Sequence, residues 1–143
     1  MKIAIGADHA GFEFKELLKE FISELGYEIK DFGAYSFDKD DGFPDYALPV
    51  SRAVASHEAD RGVLVCGSGI GVSIAANKVK GVRAVNCTSE EFAKLSRLHN
   101  DTNVICFPGR FLDINEAKKY FKIWMETEFL GGKYAERNKL LDF

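Results

Sequence analysis

The chain has 143 residues, which is about the length of one domain, so we expect a single domain spanning residues 1–143 with its own core. Hydrophobic residues make up 46 % and charged residues 29 %, as in an ordinary globular protein. The formal net charge of −3 and the absence of a basic stripe argue against nucleic acid or an anionic membrane as a partner, and the apolar runs are too short to span a bilayer.

The first third of the chain predicts a strand, a helix and a second strand. The apolar run Lys2–Gly6 predicts a buried first strand, and apolar residues at helical spacing predict a helix over Phe12–Leu25, ended by Gly26. Tyr27–Phe32 predicts a second strand, and its polar alternation suggests a position near the sheet edge. A polar loop is expected over Gly33–Asp45.

The middle of the chain repeats this alternation. Tyr46–His57 has apolar residues at helical spacing, and Gly62–Cys66 predicts a third strand. The third strand is the most apolar, which favours the centre of a sheet. A helix is expected over Ser68–Asn77, entered directly from a run of glycines, and a fourth strand over Val82–Cys87.

The last third adds two helices and one strand. Ser89 is expected to cap a helix over Glu90–Leu98, whose acidic first turn complements the helix dipole. Asn103–Phe107 predicts a fifth strand. Asp113 or Asn115 is expected to cap a further helix.

Five alternations of strand and helix predict an α/β fold. We expect a three-layer α-β-α sandwich with a Rossmann-like, five-stranded parallel sheet joined by right-handed crossovers. Ligands of such sheets bind outside the carboxyl ends of the strands. The segments expected there are 7–9, 66–71 and the loops after Cys87 and Phe107.

The glycine-rich segment LVCGSGIGVSIAANK, residues 64–78, matches no nucleotide-binding template. Gly67, Gly69 and Gly71 form G-x-G-x-G, but the dinucleotide fingerprint needs a further glycine where Val72 stands. The stretch 6–11 has the glycine spacing of a P-loop and lacks the lysine and hydroxyl that should follow. Alternating glycines at a helix N-terminus nevertheless place several backbone N–H groups in one concavity, which suits a phosphate or a transient oxyanion.

Three cysteines occur, Cys66, Cys87 and Cys106, and no CxxC pair is present. The odd number and the strand-like surroundings predict free thiols in a reducing cytosol. Cys87 and Cys106 are interpreted as small core residues. Cys66 differs because it adjoins the glycines, where a helix N-terminus stabilises a thiolate that could act as a base or a nucleophile.

Several other polar residues are candidates for the site. Asp8 follows the first strand, where a substrate-binding carboxylate is expected, and His9 comes next. His99 precedes hydrogen-bonding side chains just ahead of the fifth strand, which favours an oriented ring, whereas His57 is interpreted as structural. Basic residues at 110, 133 and 137 are surface charges by default, although the preceding Gly131-Gly132 allows a sharp turn that could aim the last two at a phosphate.

Five blocks in order resemble the ribose-5-phosphate isomerase B family, within a wider group that includes the galactose-6-phosphate isomerase subunits. The blocks are IGADHAGF at 5–12, CGSGIG at 66–71, SIAANK at 73–78 with GVRA at 81–84, SRLHNDTN at 96–103, and Gly131-Gly132 with Arg137. The resemblance covers nearly the whole chain. It implies an α/β enzyme without a metal or an organic cofactor, active as a homodimer or homotetramer with sites shared between chains.

The resemblance also implies catalytic roles. Cys66 is implied to be the base that moves a proton between C1 and C2 of the open-chain sugar, with the Ser68 hydroxyl on the sugar oxygens. His99 is implied to open the furanose ring as an acid, with Asp8 as its counterpart across the sugar. The backbone N–H groups implied to face the enediolate are those of Gly67, Gly69, Ile70 and Gly71.

Two departures bear on the implied binding residues, which are His9, Asn100, Arg110, Lys133 and Arg137. Lys133 stands where the family has arginine, and Tyr134 stands where it has histidine. A lysine still neutralises phosphate but binds it at one point, so the preference between pentose and hexose phosphates stays open.

The resulting hypothesis is an aldose–ketose isomerase that interconverts ribose 5-phosphate and ribulose 5-phosphate through an enediolate, in the pentose phosphate pathway. One alternative is an isomerase of allose 6-phosphate or galactose 6-phosphate. Another is a sugar-phosphate or nucleotide-binding module without catalysis. The joint presence of Cys66, Ser68, His99 and Asp8 argues against the last, because a binder needs neither the thiol nor the acid.

Overall fold

Five short strands form one sheet in which every neighbouring pair is parallel. The computed structural model describes all residues from 1 to 143. The strands are β1 (Lys2–Ala7), β2 (Glu28–Asp31), β3 (Arg61–Cys66), β4 (Ala84–Asn86) and β5 (Val104–Pro108). The order across the sheet is β2-β1-β3-β5-β4, so the predicted five-stranded parallel sheet, its central third strand and its second strand at the edge are confirmed.

Six helices connect and cover the strands. They are α1 (Phe12–Glu24), α2 (Pro44–Ala55), α3 (Ile70–Asn77), α4 (Glu90–Asn100), α5 (Ile114–Glu126) and α6 (Lys133–Asn138). The Ser89 hydroxyl accepts a hydrogen bond from the Phe92 N–H at 3.1 Å, and Asp113 Oδ1 accepts one from the Asn115 N–H at 2.8 Å. Ser89 and Asp113 are therefore the caps of α4 and α5. No helix combines the length and the apolarity needed to cross a membrane.

Three predicted helix boundaries are corrected by the structure. The second helix begins at Pro44 rather than Tyr46, because proline suits the first helical position. The third begins at Ile70 rather than Ser68, since Gly69 has a positive φ of 73° that a helix excludes. The fourth continues through Asn100, which puts His99 in its last turn rather than in a loop.

The two faces of the sheet carry separate apolar clusters, which confirms the three-layer arrangement. Because side chains alternate along a strand, Ile3 and Ile5 of β1 face one way and Ala4 faces the other. On the first face α1, α4 and α5 pack with residues such as Phe14, Phe121 and Trp124. On the second face α2 and α3 contribute smaller residues. Those include Ala47, Val50, Val72 and Ala76.

A crevice opens where the chain changes direction across the sheet. The connection after β1 leads outward to β2, whereas the connection after β3 leads to β4 at the opposite edge. The carboxyl ends of β1 and β3 are thus adjacent strand ends whose loops diverge, which is where open α/β sheets bind ligands.

The loop that follows β2 is fixed to this end of the sheet. The Lys15 side chain is completely buried and donates to both carboxylate oxygens of Asp31 at 3.0 Å and to the Ala34 carbonyl. The Ala7 N–H donates to the Gly33 carbonyl at 2.9 Å. A buried ammonium is stable only when paired in this way, so these contacts hold the start of the loop beside the end of β1.

Candidate active site

A cleft of about 360 Å³ lies between the carboxyl ends of β1 and β3. It is lined by Asp8, His9, Ala10, Phe43, Cys66, Gly67, Ser68, Gly71, Arg110 and Phe111. Seven of the sequence-predicted site residues are among them. Larger grooves on the surface of α1 and beside the C-terminus contain no cysteine or histidine, so the chemistry points to the smaller cleft. We call it the carboxyl-edge cleft.

Cys66 is the only one of the three cysteines that lines this cleft. It ends β3, is 5 % exposed, and is followed directly by the glycines that lead into α3. Burial raises the pKa of Cys87 to about 11 and raises the pKa of Cys106 well above its ordinary value. Those two thiols therefore stay protonated in the core, whereas Cys66 combines a reactive group with a helix N-terminus and an open side.

The loop between Cys66 and α3 is held in shape from a neighbouring strand. The Asn86 amide of β4 donates to the Ser68 carbonyl at 3.1 Å, and its Oδ1 would lie 2.1 Å from a Cβ added at Gly69. Only glycine fits there, because the positive φ and the contact both exclude a side chain. The Ile70 N–H donates to the Ser68 hydroxyl at 3.2 Å, so that amide, predicted to face the substrate, is engaged within the loop.

Asp8 combines a capping role with a place in the cleft. Its Oδ1 accepts hydrogen bonds from the N–H groups of Ala10 at 3.0 Å and Gly11 at 3.3 Å, which begins the single 3₁₀ turn that precedes α1. Burial raises the pKa of Asp8, although the neighbouring His9 acts in the opposite direction. One carboxylate oxygen is thus structural, and the other is left for a ligand.

His9 is held by two residues that the sequence did not single out. Asp41 Oδ1 accepts from the His9 backbone N–H at 3.0 Å and lies 2.7 Å from the ring Nδ1. Tyr46 donates its hydroxyl to Asp41 Oδ2 at 3.0 Å. Burial and Asp41 raise the pKa of Tyr46 to about 12, so it remains a donor. No local sequence motif predicts the contact between His9 and Asp41, because Asp41 lies in a loop 32 residues after His9.

Arg110 lies at the rim of the cleft. Its backbone N–H donates to the Gly67 carbonyl at 3.0 Å, and its Cδ would lie 3.2 Å from a Cβ added at Gly67. The side chain is exposed, which leaves the guanidinium available to an anion above the glycine loop.

Six predicted residues are not among those that line the cleft. Gly69 and Ile70 belong to the loop that follows Cys66, whereas four lie elsewhere: His99, Asn100, Lys133 and Arg137. The helices run back from the carboxyl ends of the strands, so the last turn of α4 lies near the amino end of β5. There the His99 ring stacks on Tyr134 with a centroid distance of 4.3 Å and an angle of 12°. Lys133 Nζ and Arg137 Cζ lie 5.4 and 5.7 Å from the same Tyr134 ring. We call these residues the His99 cluster.

Hydrogen bonds from α6 complete the His99 cluster. The Asn138 amide donates to the His99 carbonyl at 3.1 Å, and Asn100 donates to Asn138 Oδ1 at 3.3 Å. The structure thus brings His99, the predicted acid, together with Lys133 and Arg137. These residues lie near the amino ends of the strands, whereas Cys66 lies at the carboxyl ends.

One group of side chains has the composition of a metal site. Ligand atoms of Asp8, His9 and Asp41 lie within 4.8 Å of one another. However, His9 Nδ1 and Asp41 Oδ1 are hydrogen-bonded to each other and Asp8 Oδ1 caps the 3₁₀ turn. Internal hydrogen bonds therefore explain why these atoms are close.

Comparisons with known proteins agree with this architecture. Residues 3–141 match the Ribose/Galactose Isomerase family. The ribose-5-phosphate isomerase B of Escherichia coli strain K12 is 44 % identical over 136 residues, which are 95 % of this chain and 91 % of that protein. A solved ribose-5-phosphate isomerase B from Clostridium thermocellum has a TM-score of 0.96 at 42 % identity and covers 99 % of this chain and 95 % of its own. The Mycoplasma genitalium enzyme, solved with bound ribulose 5-phosphate, has a TM-score of 0.94 at 37 % identity, with 98 % and 93 % covered.

Proposed function

The chain belongs to the ribose/galactose isomerase family, and from that premise we propose that it interconverts ribose 5-phosphate and ribulose 5-phosphate. The observation that carries the proposal is Cys66, a thiol at the end of the central strand that opens into a cleft beside a helix N-terminus. The relative solved with ribulose 5-phosphate shares the fold over 98 % of this chain. Aldose–ketose exchange needs a base and an oxyanion site next to each other, and this cleft offers both.

The proton transfer follows from this arrangement. With the sugar open, the Cys66 thiolate takes the proton from C2, and the electrons of that C–H bond form the C1–C2 double bond while the carbonyl becomes an enediolate oxygen. Backbone N–H groups of the 67–71 loop other than that of Ile70, which donates to Ser68, stabilise that negative charge. The proton of the C2 hydroxyl passes to O1, the proton on the Cys66 thiol is returned to C1, and the electrons of the C1–C2 double bond form that new C1–H bond as C2–O becomes the carbonyl. The Ser68 hydroxyl is placed to hold the sugar oxygens, and Arg110 to hold the phosphate at the rim.

The remaining groups come, in this proposal, from a second copy of the chain. Ring opening needs an acid, and His99 lies at the opposite sheet edge from Cys66 within one chain. The outer face of α3, next to the cleft, exposes Ile70 by 56 % and Ile74 by 55 %, while its inner face packs on the sheet. A helix apolar on both faces is suited to burial on both sides. We therefore place a homodimer contact here, with the His99 cluster of one copy over the carboxyl-edge cleft of the other.

The setting of the enzyme is part of the proposal. Three unpaired buried cysteines suit a reducing cytoplasm, and the two sugar phosphates belong to the pentose phosphate pathway. Lys133 and Arg137 of the second copy would bind the phosphate together with Arg110.

The primary test is an isomerisation assay with ribose 5-phosphate and allose 6-phosphate side by side. We expect turnover of the pentose phosphate by the native chain and loss of at least about a thousandfold in kcat for Cys66→Ala. Faster turnover of allose 6-phosphate would assign the chain to six-carbon sugars. Binding of both sugars without turnover would favour a binding module, and full activity of Cys66→Ala would remove Cys66 as the base.

The shared site is tested by mixing two inactive variants. Each site of a two-fold dimer would take Cys66 from one copy and His99 from the other. Cys66→Ala and His99→Ala, unfolded and refolded together, should therefore regain about a quarter of the native activity, because half of the dimers are mixed and each has one intact site. Refolding each variant alone is the control. No gain on mixing would contradict the shared site while leaving the activity itself untouched.

A further inference from the structure

We propose that Asp41 is a positioning residue that fixes the orientation and tautomer of His9 in the carboxyl-edge cleft. This inference rests on the proposed function, because it assigns how one substrate-binding side chain is made ready. Asp41 belongs to neither the sequence motifs nor the lining of the cleft. Its side chain is hydrogen-bonded to His9, which lines the cleft, and to Tyr46, which does not.

Two atoms of His9 bind one oxygen of Asp41. The backbone N–H donates at 3.0 Å and the ring Nδ1 lies at 2.7 Å, both on Oδ1. A carboxylate only accepts hydrogen bonds, so the ring nitrogen facing it must carry the proton. This holds for a neutral and for a cationic imidazole. Rotating the ring by half a turn would put a carbon against the carboxylate and lose the bond.

The carboxylate is itself held in place. Its second oxygen accepts the Tyr46 hydroxyl at 3.0 Å, and its side chain is only 5 % exposed. Burial acts to raise the pKa of Asp41, but the hydrogen bonds from His9 and Tyr46 lower it below the ordinary value, so the group is ionised at neutral pH. Phe37 packs edge-on against the His9 ring, with centroids 5.9 Å apart and an angle of 87°.

The consequence for the cleft concerns the other ring nitrogen. Nε2 has no hydrogen-bond partner in the chain, and His9 lines the cleft with a quarter of its side chain exposed. With Nδ1 committed to Asp41, a neutral ring offers Nε2 as an acceptor to a sugar hydroxyl. A cationic ring offers it as a donor to a phosphate oxygen. Asp41 thereby presents Nε2 to the ligand before binding, so little rotational freedom remains to be lost.

The first experiment reads the tautomer directly. The chain has three histidines, so two-bond ¹H–¹⁵N correlations of the labelled, substrate-free protein can be assigned with His57→Gln and His9→Gln. We expect the His9 proton on Nδ1 in the native chain and a shifted or mixed tautomer in Asp41→Ala. A native His9 protonated on Nε2 alone would overturn the proposal. This measurement needs no activity, so it stands if the isomerase assignment fails.

The second experiment measures the effect on ribose 5-phosphate. Asp41→Asn is expected to raise KM about fivefold with kcat little changed, the effect of weakening one hydrogen bond. Asp40→Asn removes an equal charge from the adjacent exposed position and should leave KM unaltered. In a His9→Ala background, Asp41→Asn should have no further effect on KM. Equal effects of the two asparagine variants, or an undiminished effect without His9, would overturn the positioning role.

Discussion

Gly69→Ala should damage the glycine loop through two separable effects. At φ +73° alanine is strained by about 1–2 kcal/mol, and the new methyl carbon would lie 2.1 Å from Asn86 Oδ1. Asn86 must then move and release the Ser68 carbonyl, which costs about 1 kcal/mol more. The free energy of unfolding should therefore fall by about 2–3 kcal/mol. If half or more of that strain persists in the working loop, kcat should fall about tenfold to a hundredfold.

Urea unfolding and the isomerisation assay measure the two quantities. Gly26→Ala is the matched control, because Gly26 has a φ of +94° and no atom within 4 Å of an added Cβ. It should lose only the backbone part of the stability and none of the activity. Combining Gly69→Ala with Asn86→Ala should cost less than the sum of the single changes, since the clash is then gone. A Gly69→Ala variant as active and as stable as Gly26→Ala would refute the reasoning.

Two further outcomes are expected at other places in the chain. Burial acts to raise the pKa of Asp31, but hydrogen bonds from Lys19 and Lys15 lower it below the ordinary value. The ionised Asp31 carboxylate therefore stabilises the fold above its unfolded pKa of about 4, and this stabilisation is lost as the pH falls through the lower folded pKa. Asp31→Asn should thus be less stable than the native chain at pH 7 but should lose less stability on acidification. Urea unfolding between about pH 7 and pH 3 measures this, and parallel plots of unfolding free energy against pH for the two chains would count against it. Tyr134→Phe keeps the stacked ring against His99 and should retain kcat, whereas Tyr134→Ala should lower kcat about two- to tenfold in the isomerisation assay. An equal loss of kcat in both variants would show that the hydroxyl matters instead of the ring.

The sheet was predictable because burial and alternation leave direct marks in a sequence. Val63, Leu64 and Val65 have no polar neighbour until Cys66, and only a central strand covered on both faces tolerates such a run. Helix starts were less predictable. Proline at position 44 suits the first position of a helix, so the start of α2 can be predicted from sequence. The contact between Gly69 and the Asn86 side chain of another strand leaves no such local signal.

The candidate site was predictable as a list of residues and less so as a geometry. Cys66, Asp8 and the glycines follow strand ends, and any parallel sheet brings such ends together. Asp41 lies in a polar loop whose many acids look alike in sequence, and only folding selects the one that reaches His9. The resemblance implied sites shared between chains but not which residues each chain supplies. The separation of His99 from Cys66 within one chain follows once α4 is known to run through Asn100.

Cys66 lies at the carboxyl ends of the strands, and His99 lies near their amino ends. In the proposed dimer, each chain therefore supplies the base of one active site and the ring-opening acid of the other. With the site shared as proposed, a solitary chain would hold a thiol and an anion site but no acid to open the furanose ring of ribose 5-phosphate. In the proposed dimer, such a chain would be inactive on a cyclic sugar until it meets its copy. Well below the dissociation constant of the dimer, total activity should therefore fall with the second power of chain concentration, and specific activity with the first power. Two inactive variants would also complement each other when they affect different chains. A cell that produces one chain altered at Cys66 and another altered at His99 would keep part of the activity, whereas a cell whose only chain carries both changes would keep none.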